Sequence, residues 1–290
     1  MMSMTILVIV AALGAVMGSF IGAQVWRVRA RQLVEDKQAG EPVDTLELRR
    51  LKPLLRPLKD DRSRCLSCGH ELRWYDLLPV VSWLAARGRC RYCRAPIGWM
   101  ELGLELAMAG LFAAVTWYGM TTFTAPLAIT KVVIALTGLS YLAFLFVYDK
   151  RWFLLPDVAN WPFVMLGVLF AGIHAVTGQL PGGVLGLVAA VIILSGVYAL
   201  LYIVSSGRWI GFGDVKLTLG LSLFLMDWRL AFLALFLANL LGTLLVLPGM
   251  IRGTVQRGAR IPFGPLLIIG FLISWFFGVR IMDWLIVIQY

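Results

Sequence analysis

Ionisable side chains are scarce in this chain. Only 14% of its 290 residues are charged, against about 25% in soluble domains. With 60% of the chain hydrophobic, a soluble globule of this size has too little polar surface to cover its apolar surface. That points to a polytopic membrane protein. There are two histidines, and neither lies in a His-Glu-x-x-His pattern. No Gly-x-Ser-x-Gly is present either, and no histidine is placed to activate a serine near the bilayer. Serine, cysteine and metalloprotease chemistry therefore find little support. The first apolar run lacks a basic segment before it, and its basic residues (Arg27, Arg29, Arg31) follow it. It reads as a retained span and not as a cleaved signal peptide. No inverted repeat is visible.

Apolar runs predict an all-α protein of about eight transmembrane helices, over residues 4–25, 101–119, 127–148, 158–176, 184–204, 214–225, 230–250 and 265–288. Most reach the ~20 residues that a ~30 Å hydrocarbon core requires. The stretch 214–225 is short, as helices beside intramembrane sites often are. Between the first and second spans lies a polar, charged segment. The expected domains are thus a first helix (1–26), a cytoplasmic domain (27–100) and a seven-helix membrane domain (101–290). Within the middle domain, the Leu-rich stretch 45–55 suits a surface helix lying on the membrane.

The net charge of +10 is first a statement about topology, with no nucleic-acid partner implied. Placing residues 27–99 inside puts 23 of the 26 basic residues on the inner side. The exceptions are Lys131, Arg229 and Arg280. The same arrangement puts Asp149, Asp157 and Asp214 at the inner face. It also favours anionic lipid beside the basic domain, unless acidic residues such as Glu35, Asp36, Glu41, Asp44, Asp60, Asp61 and Asp76 gather into a docking patch.

The four cysteines form two pairs, Cys65/Cys68 and Cys90/Cys93. Four thiolates on two short chelating loops suit tetrahedral zinc. Two disulfides would need an oxidising compartment, which the basic flanks argue against. The module, residues 65–97, is too small to hold itself together without metal. His70 lies inside it as an alternative ligand, but the cysteines already complete a shell.

Acidic residues at a membrane are costly and mark functional sites. Asp149 ends one apolar run. Asp214 follows Gly211-Phe212-Gly213 and precedes Lys216. Two carboxylates sharing one proton can hydrolyse a peptide bond: one activates water while the other donates to the carbonyl oxygen and the leaving amine. The plainer alternatives are ion pairs with Lys150, Arg151 or Lys216, and a helix cap at Asp214. Asp157, after Pro156 and before an apolar run, suits a helix N-cap. Glu105 would pair with an arginine or face the site. Gly14, Gly18 and Gly22 suit a helix-packing face.

These residues together resemble the type IV prepilin peptidases, membrane aspartic proteases of the Gly-x-Gly-Asp class. The resemblance rests on five motifs in order. They are Gly18-Ser19-Phe20 with Arg27; the paired Cys-x-x-Cys with Pro79-x-x-Ser82-Trp83-Leu84; Asp149 followed by Leu155-Pro156-Asp157; Gly211-Phe212-Gly213-Asp214-Val215-Lys216; and Ile261-Pro262-Phe263-Gly264-Pro265. It implies cleavage of the basic leader of type IV prepilins or pseudopilins at the cytoplasmic face of the inner membrane. It also implies methylation of the new N-terminus with S-adenosylmethionine. By the same match Asp149 and Asp214 are the catalytic pair, with Gly211, Gly213, Lys216 and Asp157 in support. The cysteines hold zinc. Methyl transfer is tied to the N-terminal region, with Gly18, Ser19, Phe20 and Arg27 as its candidates. Two departures fall there: Gly22 replaces the usual Asn, and Met100-Glu101-Leu102 replaces Arg-Tyr-Pro. The competing readings are an ion-coupled transporter and a non-catalytic scaffold of pilus or secretion assembly. The transporter predicts inverted repeats and has no use for a zinc module; the scaffold predicts that Asp149→Asn and Asp214→Asn still support pilus assembly.

Overall fold

The computed structural model describes residues 4–55, 62–123, 127–254 and 261–288. Asp60, Asp61, Arg257 and Arg260 lie outside the described residues. All regular structure described is helical apart from two isolated β-bridges. Among the described residues, seven helical stretches are long and apolar enough to cross a membrane, which makes this a multi-pass membrane protein. The chain divides into two compact units, Met1–Trp117 and Tyr118–Tyr290.

In the first unit, α1 (Met4–Gln38) runs twelve residues past Trp26. Its extension is charged, but Arg, Gln, Glu, Leu, Ala and Lys are good helix formers, so the helix outlives the apolar run. Asp44 caps α2 (Thr45–Leu51), its carboxylate accepting from the N–H groups of Leu46 and Glu47 at 2.8 and 3.1 Å. Leu51 is buried against Ala30 and Leu33 of α1, and Arg29 pairs with Glu47 at 2.8 Å. The Leu-rich face of α2 therefore packs on protein, a correction to the expectation that it lies on lipid. A short helix α3 (Val81–Ala85) precedes α4 (Trp99–Thr122). Here α1 meets α4 through glycine: a Cβ on Gly14 would stand 2.4 Å from the Met108 carbonyl oxygen, and one on Gly18 2.8 Å from the Glu105 Cα. Small residues permit this approach, and in lipid close packing is what joins helices.

The second unit holds α5 (Ala128–Trp152), α6 (Asp157–Val176), α7 (Gly183–Val191), α8 (Val197–Ser205), α9 (Phe212–Leu225), α10 (Trp228–Ile251) and α11 (Phe263–Ile288). One turn of π-helix, Ile192–Gly196, joins α7 to α8. The short helix α9 lies along α6, running the same way. Gly213 meets Leu155, Gly220 meets Phe163, and Gly167 meets Leu223. Phe163, Phe170, Phe224 and Trp275 form the aromatic core between α6, α9 and α11. At the end of α6 remote from Asp157, buried Lys131 donates to Thr177 and Gln179. Arg229 pairs with Asp227 at 3.1 Å. Of the three basic residues outside the inner-side pattern, Lys131 thus ties α5 to the end of α6, and Arg229 pairs with the N-cap of its own helix.

Candidate active site and metal centre

Four helix ends of the second unit come together around Leu155. Asp149 is in the last turn of α5 and is buried. The first turn of α11 supplies the Gly264 N–H, which donates to Asp149 Oδ2 at 2.9 Å. A helix N-terminus has unpaired N–H groups, so this donor is available to an anion. A Cβ on Gly264 would sit 2.9 Å from that same oxygen and 3.3 Å from Leu155 Cδ2. From the other side, a Cβ on Gly213 would sit 2.8 Å from Leu155 Cβ. Leu155 is thus the shared neighbour of the Asp149 and Asp214 segments.

Asp214 lies in the first turn of α9, and its Oδ2 accepts the Gly211 N–H at 3.2 Å. Its ion-pair alternative is not realised: Lys216 pairs with Asp157 instead. Nor is Asp157 an N-cap. Pro156 occupies the cap position, and Asp157 is the first residue of α6. The Lys216 ammonium also lies 4.9 Å from the Phe212 ring centroid and 5.7 Å from that of Trp161. The Asp157 side chain is 61% exposed, so this pair is screened and its worth is modest, about 1 kcal/mol or less. Asp157→Asn should therefore lower stability by no more than about 1 kcal/mol. Thermal unfolding checks this.

Two residues that the sequence reasoning passed over hold the head of α9. Fully buried Asn160 donates from Nδ2 to the Gly213 carbonyl at 3.0 Å. Ser195, in the π-helical turn, donates to the Val215 carbonyl at 3.2 Å. Thr218 donates to the Asp214 carbonyl at 2.8 Å from within α9. Three successive carbonyls around Asp214 are thereby held, from α6, from the π turn and from α9 itself. An Asn inside the apolar run 158–176 was the signal available, since a polar residue there is expensive unless it has a partner.

The cysteine module is built as two matching knuckles. In the first, Cys65 N–H donates to His70 O and Gly69 N–H to Cys65 O; in the second, Cys90 N–H donates to Ala95 O and Arg94 N–H to Cys90 O. Gly69 (φ +70) and Arg94 (φ +58) make the equivalent left-handed turn. The Arg64–Glu71 and Arg89–Pro96 bridges close the bases of the two loops. All four Sγ atoms lie within 4.8 Å of one another, with Cys65 and Cys93 at 3.9 Å. Tetrahedral Zn–S bonds of ~2.3 Å put sulfurs about 3.8 Å apart, so the donor set fits a metal site of four thiolates. The cysteines are free thiols. His70 instead stacks on Tyr92 with ring centroids 3.6 Å apart.

Of the N-terminal candidates, Gly18 is filled in by α4, Phe20 is exposed, Ser19 is half-buried and Arg27 is buried. Glu105 Oε2 accepts the Val80 N–H at 2.7 Å.

The comparisons agree with this division. Residues 12–119 match the family model described as the bacterial peptidase A24 N-terminal domain, and residues 135–247 match that of the type IV leader peptidase family. A prepilin leader peptidase/N-methyltransferase of Burkholderia pseudomallei is 32% identical over 92% of this chain and 84% of its own length. Proteins of the same name from Dichelobacter nodosus and Pseudomonas aeruginosa are each 31% identical, over 91% and 93% of this chain and 89% of their own length. No solved structure matches. With the two domain models side by side and similarity running nearly end to end, the chain belongs to the type IV leader peptidase family.

Proposed function

We propose that this protein cuts the basic leader from type IV prepilins or pseudopilins at the cytoplasmic face of the inner membrane, and that Asp149 and Asp214 are its catalytic pair. The observation that carries the reading is the convergence of the Asp149 and Asp214 segments around Leu155 at one end of the second unit. Asp149 accepts the Gly264 N–H and Asp214 the Gly211 N–H, and a carboxylate has about four acceptor sites, so oxygen lone pairs are left for water and for a shared proton. One carboxylate takes a proton from water as the other gives one to the scissile carbonyl; the proton then passes to the departing amine. A prepilin fits this depth, because its scissile bond lies between a basic leader and an apolar helix.

We read α9 as the eighth membrane crossing. At 14 residues it spans about 21 Å, less than a ~30 Å core. In support, Gly213 packs near Leu155 at the start of α6, while Leu223 packs near Gly167 deep in that helix. A helix this short starts below the membrane surface, which would recess Asp214 toward the scissile bond.

The family's second activity, methylation of the new N-terminus, is assigned to this chain on its match to the N-terminal domain model and on the relatives' names. S-adenosylmethionine would supply the methyl group. Gly18, filled in by α4, serves packing in this reading and not cofactor contact. Zinc held by Cys65, Cys68, Cys90 and Cys93 would tie the two knuckles together. Replacing Cys90, the buried ligand, with Ser should drop zinc from one equivalent to none. It should also open residues 62–97 to proteolysis, since such metal sites supply ~10 kcal/mol or more of folding free energy. Metal analysis and limited digestion read this out.

Incubating the purified enzyme with a synthetic prepilin, with and without S-adenosylmethionine, tests the whole assignment by mass spectrometry. Cleavage between leader and helix, and a methyl on the new amine only when the methyl donor is present, are expected. An intact substrate would remove the protease reading.

A further inference from the structure

The segment between the two knuckles carries a cluster of exposed apolar side chains. Leu77 and Leu78 are 41% exposed, Val81 60% and Leu84 58%. Trp74 and Trp99 flank them, each 75% exposed. On a domain standing free in water this would be an unexplained patch.

Its position is set by an unusual local structure. Val80 has φ +62 and ψ −50, a region that strains a β-branched residue. The Val81 N–H donates to the Pro79 carbonyl at 2.6 Å, so residues 79–81 form the rare, strained γ-turn. The turn aims the Val80 N–H at Glu105 Oε2, 2.7 Å away, and Glu105 is itself buried. One side chain of a membrane helix thus anchors the backbone at the centre of the patch.

Glu105 gives the depth. It lies six residues after Trp99, the first residue of α4, hence ~9 Å along the axis. The partner helix gives a similar answer. Gly18 packs on Glu105, and Gly18 is eight residues before Trp26, hence ~12 Å inside the interfacial end of the apolar run. A glutamate side chain reaches back toward the start of its helix, so Val80 sits at the boundary between headgroups and hydrocarbon. An apolar patch at that level faces acyl chains.

We infer that residues 77–84, with Trp74 and Trp99 as interfacial anchors, form a wedge that inserts into the headgroup–acyl boundary of the membrane, so that the cysteine module lies on the bilayer. Charge agrees with this. Arg73, Arg87, Arg89 and Arg94 border the wedge in sequence, and such clusters bind anionic headgroups; Arg91 is taken up by Asp76 at 3.2 Å. Tryptophan at the same level is the usual interfacial residue. In this arrangement the γ-turn and Glu105 set how deep the metal module sits. The inference does not depend on the protease reading.

The test uses the native full-length chain in nanodiscs of phosphatidylethanolamine and phosphatidylglycerol, doped with a lipid carrying a diazirine on its acyl chain. After irradiation, peptide mass spectrometry locates the lipid adducts. Peptides covering residues 74–87 should be labelled at a yield similar to those of α4, while those covering the exposed knuckle tip at Ser67 should be labelled about tenfold less. A Val81→Asp, Leu84→Asp double variant that keeps its zinc should lose that labelling about tenfold, because charge is expelled from the acyl region. Adducts confined to the membrane helices, or crosslinks from residues 77–84 to a second copy or to another protein in place of lipid, overturn the inference.

Discussion

Asp149→Asn and Asp214→Asn should each abolish prepilin cleavage, by about 10³-fold or more in kcat, with the protein still folded. The reason for a clean loss lies in the hydrogen bonding. Asp149 Oδ2 accepts the Gly264 N–H, and Asp214 Oδ2 accepts the Gly211 N–H. An asparagine keeps an acceptor oxygen in both places, so the helix ends stay where they are. It cannot take and return a proton. The double variant should be no worse than either single one, because residues that act as a unit are not additive. A steady-state assay with a synthetic prepilin, beside metal content and thermal unfolding of each variant, decides the matter. If either single variant kept full activity, the shared-proton mechanism would be lost, while a pilin-binding scaffold would survive.

Much of this architecture was legible from composition, because lipid forces helices and long apolar runs announce them. Among the described residues, seven of the eight expected spans are helices long enough to cross; the stretch 214–225 forms the 14-residue helix α9, which is shorter than they are. The knuckles were legible because metal chelation is local: each loop brings its own two ligands within four residues. What stayed hidden is whatever depends on partners far apart in sequence. The Gly264 amide is 115 residues from Asp149, and nothing in Ile261-Pro262-Phe263-Gly264-Pro265 says which side chain it faces. Lys216 is two residues from Asp214 yet pairs with Asp157, 59 residues away. The helical turn carries positions i and i+2 to different faces of α9. Hydropathy also ends α1 at Trp26, because it reads the solvent and not the backbone; the charged extension to Gln38 is a matter of propensity. The Leu-rich face of α2 looked like a lipid-binding surface for the same reason: amphipathicity says that one face is buried, not by what.

Gly264→Ala should separate geometry from stability at the site. A Cβ there would stand 2.9 Å from Asp149 Oδ2 and 3.3 Å from the Asp149 Cγ and Leu155 Cδ2. Real Cβ atoms almost never approach an oxygen that closely, so something must move. Leu155 also packs against Gly213, which leaves it little room to yield. The carboxylate would then swing away, stretching its bond to the Gly264 N–H and changing its distance to Asp214. Misplacing a catalytic group by about 1 Å costs on the order of 10² in rate. The substitution lies in the first turn of α11, where alanine favours the helix over glycine by up to ~1 kcal/mol. Unfolding temperature should therefore hold or fall only slightly, while kcat drops about 10²-fold. KM should change little, because the methyl group displaces a carboxylate and not the bound leader. Gly264→Ser, of similar bulk at Cβ, should behave alike. A loss of activity that tracked a loss of fold in both variants would mean that Gly264 serves helix packing alone; full activity in both would mean that the Gly264 amide does not set the position of Asp149 during the reaction.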